Sequence, residues 1–243
     1  MRTLNFAKRN FLEIIRDPLS VLFAIVLPLF LLFIFQQFDI PNESYALENF
    51  TPGILVFGFS FITLFTAMLI SKDRTTSLLI RLGVSPMKPR EYIFGYMLSI
   101  LPMVLMQNIL FFLSAILLGL RFNLNLIWSM LVSVVIVTLF IAIGIIIGSI
   151  SSEKASSGIS SIVVQLVCFT SGMYFPKEML GNVFAGICEW LPFESCLTIL
   201  KGIMNNHLES ITSRNIIVFV VYTILVWGIA VIVFQKKMVS DNK

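Results

Sequence analysis

Charge is scarce in this chain, and its distribution is more informative than its amount. Only 12% of the 243 residues are Asp, Glu, Lys or Arg, against 58% hydrophobic, and the mean hydropathy is +0.96. That leaves too little polar surface to solvate a globule, which excludes a soluble fold and marks an integral membrane protein. Alternation of apolar and polar residues is also missing, so transmembrane β-strands are excluded and the fold class is all-α. Six uncharged apolar runs remain, at about 19–38, 52–70, 92–120, 126–150, 158–175 and 216–234. Each approaches or exceeds the length of about 17 residues that a helix needs to cross about 30 Å of hydrocarbon. The third and fourth are longer than a perpendicular crossing requires, so tilt, or a kink at Pro102, is expected.

Catalytic and metal-binding signatures are missing as well. The sequence has no G-x-x-x-x-G-K-[ST] phosphate loop, no H-E-x-x-H and no Cys/His metal spacing. Its single histidine, His207, reads as a solvated or capping residue. Cys168 lies inside a run. Cys188 and Cys196 are eight positions apart, about 12 Å on a continuous helix, too far for a disulfide unless Pro192 folds them together. No cofactor or metal site belongs to this chain, nothing calls for nucleic acid, and the chain is not an enzyme by its own residues. A carrier driven by an ion gradient usually keeps a charged residue at membrane depth as its mechanism. None of the six runs holds one, and their deepest polar residues include Gln107, Asn108 and Gln165. Interhelical hydrogen bonding is the favoured role for Gln107 and Asn108.

What charge there is falls on one side. With six crossings, the N-terminal segment, the 71–90 loop, Lys154 and the tail share a compartment that holds 13 of the 17 Lys and Arg residues. The positive-inside rule makes that compartment the cytoplasm, with both termini in it. The opposite loop after the first run carries Asp39, Glu43 and Glu48 and no Lys or Arg. Ahead of the first run, residues 1–17 place Leu4, Ala7, Phe11, Ile14 and Ile15 on one helical face. This suits an interfacial amphipathic helix ending near Arg16, with Pro18 opening the next helix. The segment 176–213 is too broken to span and too apolar to be an ordinary loop, so a re-entrant helical hairpin between the fifth and sixth helices is expected. The whole chain, 1–243, then forms a single transmembrane domain.

Such a chain has six crossings, no energy-capturing domain and no ion relay, so uphill transport needs a motor on another polypeptide. The loop "SKDRTTSLLIRLGVSPMKPREY" offers a docking element. Leu78, Leu79 and Leu82 form a ridge, Arg74 and Arg81 lie two turns apart, and Gly83 and Pro86 terminate the helix. A surface helix that sinks its Arg side chains into anionic lipid has the same pattern.

The stretch "KDRTTSLLIRLGVSPMKPREYIFGYML" resembles the cytoplasmic loop of type-2 ABC exporter permeases. There a charged pair is followed by a Leu pair, Arg-Leu and Ser/Thr-Pro; the Gly that usually precedes the Leu pair is Ser77 here. "RNFLEIIRDPLSVLFAIVLPLFLLFIF" and "SGMYFPKEMLGNVFAGICEWLPFESCLTILKGI" are similar to that family's first span and outer hairpin, so the likeness covers essentially the whole chain. The resemblance implies a coupling helix over about 75–86, with Arg74, Leu78, Leu79, Arg81, Leu82, Ser85 and Pro86 contacting the ATPase. It also implies a second permease copy or a related permease, and cytoplasmic ABC ATPase subunits that bind ATP and Mg. A bacterial cell membrane is the expected location.

For the cargo, Phe57, Phe61 and Phe65 form a ridge on the second run with Gln165 opposite on the fifth, a possible path for a hydrophobic or amphipathic drug or antimicrobial peptide. A lipid or glycan exporter of the same family is the alternative. A non-transporting membrane immunity or receptor protein is the alternative outside it.

Overall fold

A computed structural model describes residues 2–38, 40–76, 89–175 and 181–241. The helices, in chain order, are α1 (Arg2–Arg16), α2 (Pro18–Val21), a π-helical turn (Leu22–Val26), α3 (Leu27–Gln37), α4 (Leu47–Thr75), α5 (Pro89–Leu117), α6 (Leu124–Ile150), α7 (Glu153–Thr170), α8 (Asn182–Trp190), α9 (Pro192–Met204) and α10 (Ser213–Asp241). No strand occurs among the described residues. The all-α expectation holds.

Among the described residues, four helices are long and apolar enough to cross a membrane: α4, α5, α6 and the 213–237 part of α10. The α8–α9 pair passes the same test jointly, bent by 79°, and would make a fifth if it were one span. The first and fifth apolar runs of the sequence fall on elements outside that set. The first is divided among α2, the π turn and α3, whose apolar part covers only 22–37. The fifth lies in α7 as far as Thr170, with 171–175 beyond the helix; α7 starts on Glu153 and Lys154 and carries several serines. α5 continues through Pro102 as one helix.

α4 is the axis, with 89% of its apolar window buried against the rest of the chain. Its closest partner is α6, and glycine is the reason. A Cβ at Gly144 would lie 2.7 Å from the Thr63 carbonyl oxygen, and one at Gly148 would lie 2.6 Å from that of Ala67. The G-I-I-I-G spacing thus presents a Cβ-free face on which the α4 backbone rests, a packing that membrane helices favour because lipid supplies no hydrophobic drive for their association. Across that contact Thr63 Oγ1 donates to the Phe140 carbonyl at 2.9 Å.

The π turn has a sequence cause. In an α-helix the N–H of residue 28 would bond to the carbonyl of Ala24, but Pro28 has no N–H. The helix widens, the Leu27 N–H bonds to the Leu22 carbonyl, and Gln107 Nε2 of α5 reaches Ala24 O at 2.8 Å. Asn108 Nδ2 donates to Ser133 Oγ of α6 at 2.7 Å. Both amides therefore make the interhelical bonds expected of them.

Contacts at the two ends of α4 order the bundle. Near its start, Tyr45 OH donates to the Tyr174 carbonyl just beyond α7, and Gln36 Nε2 of α3 donates to the Tyr45 carbonyl. At its finish, α1, the start of α5 and the end of α6 meet, and Phe234 of α10 packs on Tyr96. The first helix and the C-terminal part of the last thus lie at one end of the molecule.

The face of α1 turned to the protein is Phe6, Ala7, Asn10 and Ile14, while Leu4 and Ile15 of the apolar stripe stay exposed on the surface of the chain. The three cysteines are free, because the bend at Leu191 does not bring Cys188 and Cys196 together.

Candidate functional site

Three consecutive residues at the end of α4 tie it to three other helices. Asp73 has 1% of its side chain exposed; its Oδ1 accepts from Arg9 Nη1 at 2.9 Å and its Oδ2 from Tyr96 OH at 2.9 Å. Arg9 lies on α1 and Tyr96 on α5. Lys72 Nζ is 2.7 Å from Glu13 Oε1, and the other oxygen of Glu13 takes Arg9 Nη2 at 2.9 Å. Glu13 thereby bridges the two cations. Arg74 Nη1 turns the other way, to the carbonyls of Gly148 at 3.2 Å and Ser151 at 3.4 Å, where α6 runs out of intrahelical donors.

The aromatic packing beneath makes the approach possible. Phe6 of α1 meets Tyr92 and Tyr96 edge-on, with ring centroids 5.5 and 5.0 Å apart. Gly95 lies between the two tyrosines, and a Cβ there would lie 2.6 Å from the Phe6 ring. A buried carboxylate is costly unless paired and hydrogen-bonded, and here both oxygens have donors, one of them cationic. This cluster fixes the last turn of α4 and the first turns of α5, the two helices between which residues 76–88 pass.

A hollow of about 170 Å³ adjoins the cluster, lined by Glu13, Asp17, Lys72, Glu153 and the apolar Phe65, Met68 and Leu69. Phe65 thus connects the ionic cluster to the aromatic ridge of α4. Phe57 and Phe61 meet edge-on at 5.1 Å; Phe23 of the π turn stacks on Phe61 at 6.1 Å, and Tyr174 meets Phe57 edge-on at 6.0 Å. Phe57, Phe61 and Phe65 are nearly fully buried within the chain. Gln165 is exposed on α7, together with Ser161 one turn before it.

Of the residues assigned to the coupling helix, Thr75 closes α4 and Arg74 is bound to the end of α6. Leu78, Leu79, Arg81, Leu82, Ser85 and Pro86 lie outside the described residues. His207 is exposed, 3.2 Å from Glu209. No group of three or more metal-ligating side chains occurs among the described residues.

Sequence reasoning missed Asp73, Arg9 and Tyr96. The apolar run appeared to end at Ile70, so Asp73 read as a loop residue. The signal available was the amphipathic first helix itself, whose Arg9 and Glu13 share a face four residues apart, facing a basic-acidic-basic triplet.

Among protein-family models, the one described as ABC-2 type transporter matches residues 3–205. No curated protein matches the chain. The matched segment takes in the ionic cluster, the aromatic ridge and the α8–α9 pair, and the chain belongs to the ABC-2 type transporter family, as a multi-pass membrane permease.

Proposed function

We propose that the chain is the membrane subunit of an ATP-driven exporter, which pairs with a second permease and couples to separate cytoplasmic ATPase subunits. The observation that carries this is the clasp on Asp73. It ties α1, the end of α4 and the start of α5 together, the last two being the helices that residues 77–88 connect in sequence, as a docking element in that connection needs if force on it is to move helices rather than bend a loop. Six crossings accompany the proposal: α2 through α3, then α4, α5, α6, α7 and α10. Support comes from the contacts at the two ends of α4, which alternate the ends at which successive elements start and finish. The α8–α9 pair, bent by 79° between Trp190 and Pro192, serves as a re-entrant hairpin: Phe193 at the start of α9 packs on Phe140 of α6, and Asn205 just past its finish bonds Asn49 at the start of α4. Both termini face the cytoplasm of a bacterial cell.

The cargo is a hydrophobic or amphipathic compound, moved along the exposed face of α7 that carries Gln165, with Phe57, Phe61 and Phe65 of α4 packed beneath the surface of the chain. Ser161 and Gln165 are polar and exposed on an apolar helix, a placement that suits a water-accessible or subunit-covered face better than lipid. Inverted membrane vesicles with the ATPase subunit co-expressed test this. ATP-dependent uptake of an amphipathic cationic dye is expected, with Gln165→Ala changing its apparent KM several-fold and leaving stability unaltered. Uptake without ATP, or identical uptake in vesicles lacking the chain, contradicts the proposal.

A further inference from the structure

The bundle covers only one side of α1, the side that carries Phe6, Ala7, Asn10 and Ile14. Turning round the helix at about 100° per residue, the next stripe is Leu4, Phe11 and Ile15, with Leu4 62% and Ile15 38% exposed and Phe11 half-buried. Beyond it come Lys8, Leu12 and Arg16, and then Arg2, all exposed. Arg2, Lys8 and Arg16 have no carboxylate partner among the described residues. The one carboxylate of the helix, Glu13, is already held by Arg9 and Lys72. An apolar stripe therefore lies between the protein contact on one side and uncompensated positive charge on the other.

The level of α1 along the bundle is fixed by its partners. It meets α4 at Asp73, just past the uncharged run that ends at Ile70, and it meets α5 at Tyr92 and Tyr96, just after Arg90 and Glu91. Both of these membrane-crossing helices change there between apolar and charged sequence, so α1 lies where hydrocarbon gives way to headgroups. A helix in that position sinks its apolar stripe among acyl chains and holds its cations at the phosphates. A neutral leaflet would accept the stripe and leave the three cations unmatched; an anionic one satisfies both.

The same helix carries the clasp. Arg9 and Glu13 project from the edge of α1 between its cationic and buried sides, and from there they reach Asp73 and Lys72. Whatever seats α1 against the leaflet also steadies these two groups on the last turn of α4.

We propose that α1 binds anionic phospholipid of the adjoining leaflet, with Leu4, Phe11 and Ile15 among the acyl chains and Arg2, Lys8 and Arg16 on the phosphates, and that this binding locks the Asp73 clasp. The last turn of α4 is then held most firmly where the leaflet is negatively charged. This role stands apart from the exporter assignment, since lipid rather than a motor or cargo is the partner.

The test uses the purified full chain in two sets of nanodiscs, one of phosphatidylcholine and one of equal parts phosphatidylcholine and phosphatidylglycerol, without ATPase or nucleotide. Backbone hydrogen exchange is the readout. Each Lys or Arg near an anionic surface is worth about fivefold in affinity, so exchange at 6–16 of α1 should slow at least about tenfold in the anionic discs. Exchange at 72–75 should slow with it, while the turn at 205–207, at the other end of α4, should not change. About 0.5 M salt should remove most of the difference in the unaltered chain. Arg2→Gln, Lys8→Gln and Arg16→Gln together should abolish it, and Arg2→Lys, Lys8→Arg and Arg16→Lys together should keep it; all three positions are exposed, so neither set disturbs the core. Equal exchange in the two lipids, or the full difference in the glutamine variant, overturns the proposal. Slowing of α1 without slowing at 72–75 overturns the lock. Protection of α1 that appears only on adding the ATPase subunit, alike in both lipids, assigns the face to that subunit and overturns the proposal as well. Failure of ATP-dependent uptake would leave the lipid result standing, and the reverse holds.

Discussion

Gln107 donates a hydrogen bond of 2.8 Å to the carbonyl of Ala24, a backbone oxygen that Pro28 leaves without its α-helical donor. A side chain of one membrane helix thus completes the backbone of another. Gly58 makes room for it, since a Cβ there would overlap the Gln107 amide nitrogen.

Gln107→Leu should therefore destabilise the chain by about 1–2 kcal/mol, the cost of leaving a buried carbonyl unpaired. Pro28→Ala restores the N–H that Ala24 lacks, so the same Gln107→Leu change should cost markedly less in a Pro28→Ala background. Detergent unfolding of the four proteins in this cycle measures the coupling. An equal cost in both backgrounds would mean that Gln107 stabilises by packing alone.

The α4–α6 contact predicts opposite signs at different glycines. Gly144→Val and Gly148→Val each force a side chain into the α4 backbone and should cost about 2 kcal/mol or more, with loss of folded protein. Gly158 and Gly228 have open space where a Cβ would go, and alanine there should stabilise by up to about 1 kcal/mol through helix propensity. Thermal midpoints of the purified variants decide it, and tolerance of valine at 144 and 148 would refute the close contact.

For the Asp73 clasp the expected order is Arg9→Met worst, Asp73→Asn milder and Lys72→Met near neutral. Removing Arg9 leaves a buried carboxylate with only the Tyr96 hydroxyl, worth about 2–3 kcal/mol for a charged hydrogen bond. Lys72 is half exposed, so its bridge to Glu13 contributes about 0–1 kcal/mol. Arg9→Met combined with Asp73→Asn should cost less than the two added, by about 1–2 kcal/mol. Additive thermal shifts would show that the two residues do not act together.

Much of this was legible before folding, for a physical reason. Long uncharged runs fix helices because backbone polar groups in lipid must be paired internally, so α4, α5, α6 and α10 followed from composition. Their ends did not: α4 continues past Ile70 through Lys72, Asp73 and Arg74 because α1 and α6 supply partners for those charges, which a single-chain hydropathy scan cannot register. The exposed Leu4 and Ile15 show the same limit, since an interfacial helix has two apolar neighbours and its moment names neither. The aromatic ridge was readable as a stripe, but the burial of Phe57 and Phe61 depends on Phe23 and Tyr174, distant in sequence. The G-I-I-I-G spacing was also present in the sequence and marks a close-packing face, but the spacing alone does not say that α4 is the helix resting on it.

Co-purification of the ATPase subunit with a Leu79→Asp and Leu82→Asp double variant, from membranes of equal expression, is the most direct measurement. On the proposed coupling role, burial of each leucine in an ATPase groove would contribute about 1.5–3 kcal/mol, whereas an exposed Arg81 ion pair would add about 0–1 kcal/mol. The double variant should keep its membrane insertion, lose the ATPase and lose ATP-dependent export, while Arg81→Ala weakens coupling only mildly. Retention of both the partner and transport by the double variant would contradict the coupling role and leave the 77–88 segment a lipid-facing surface element.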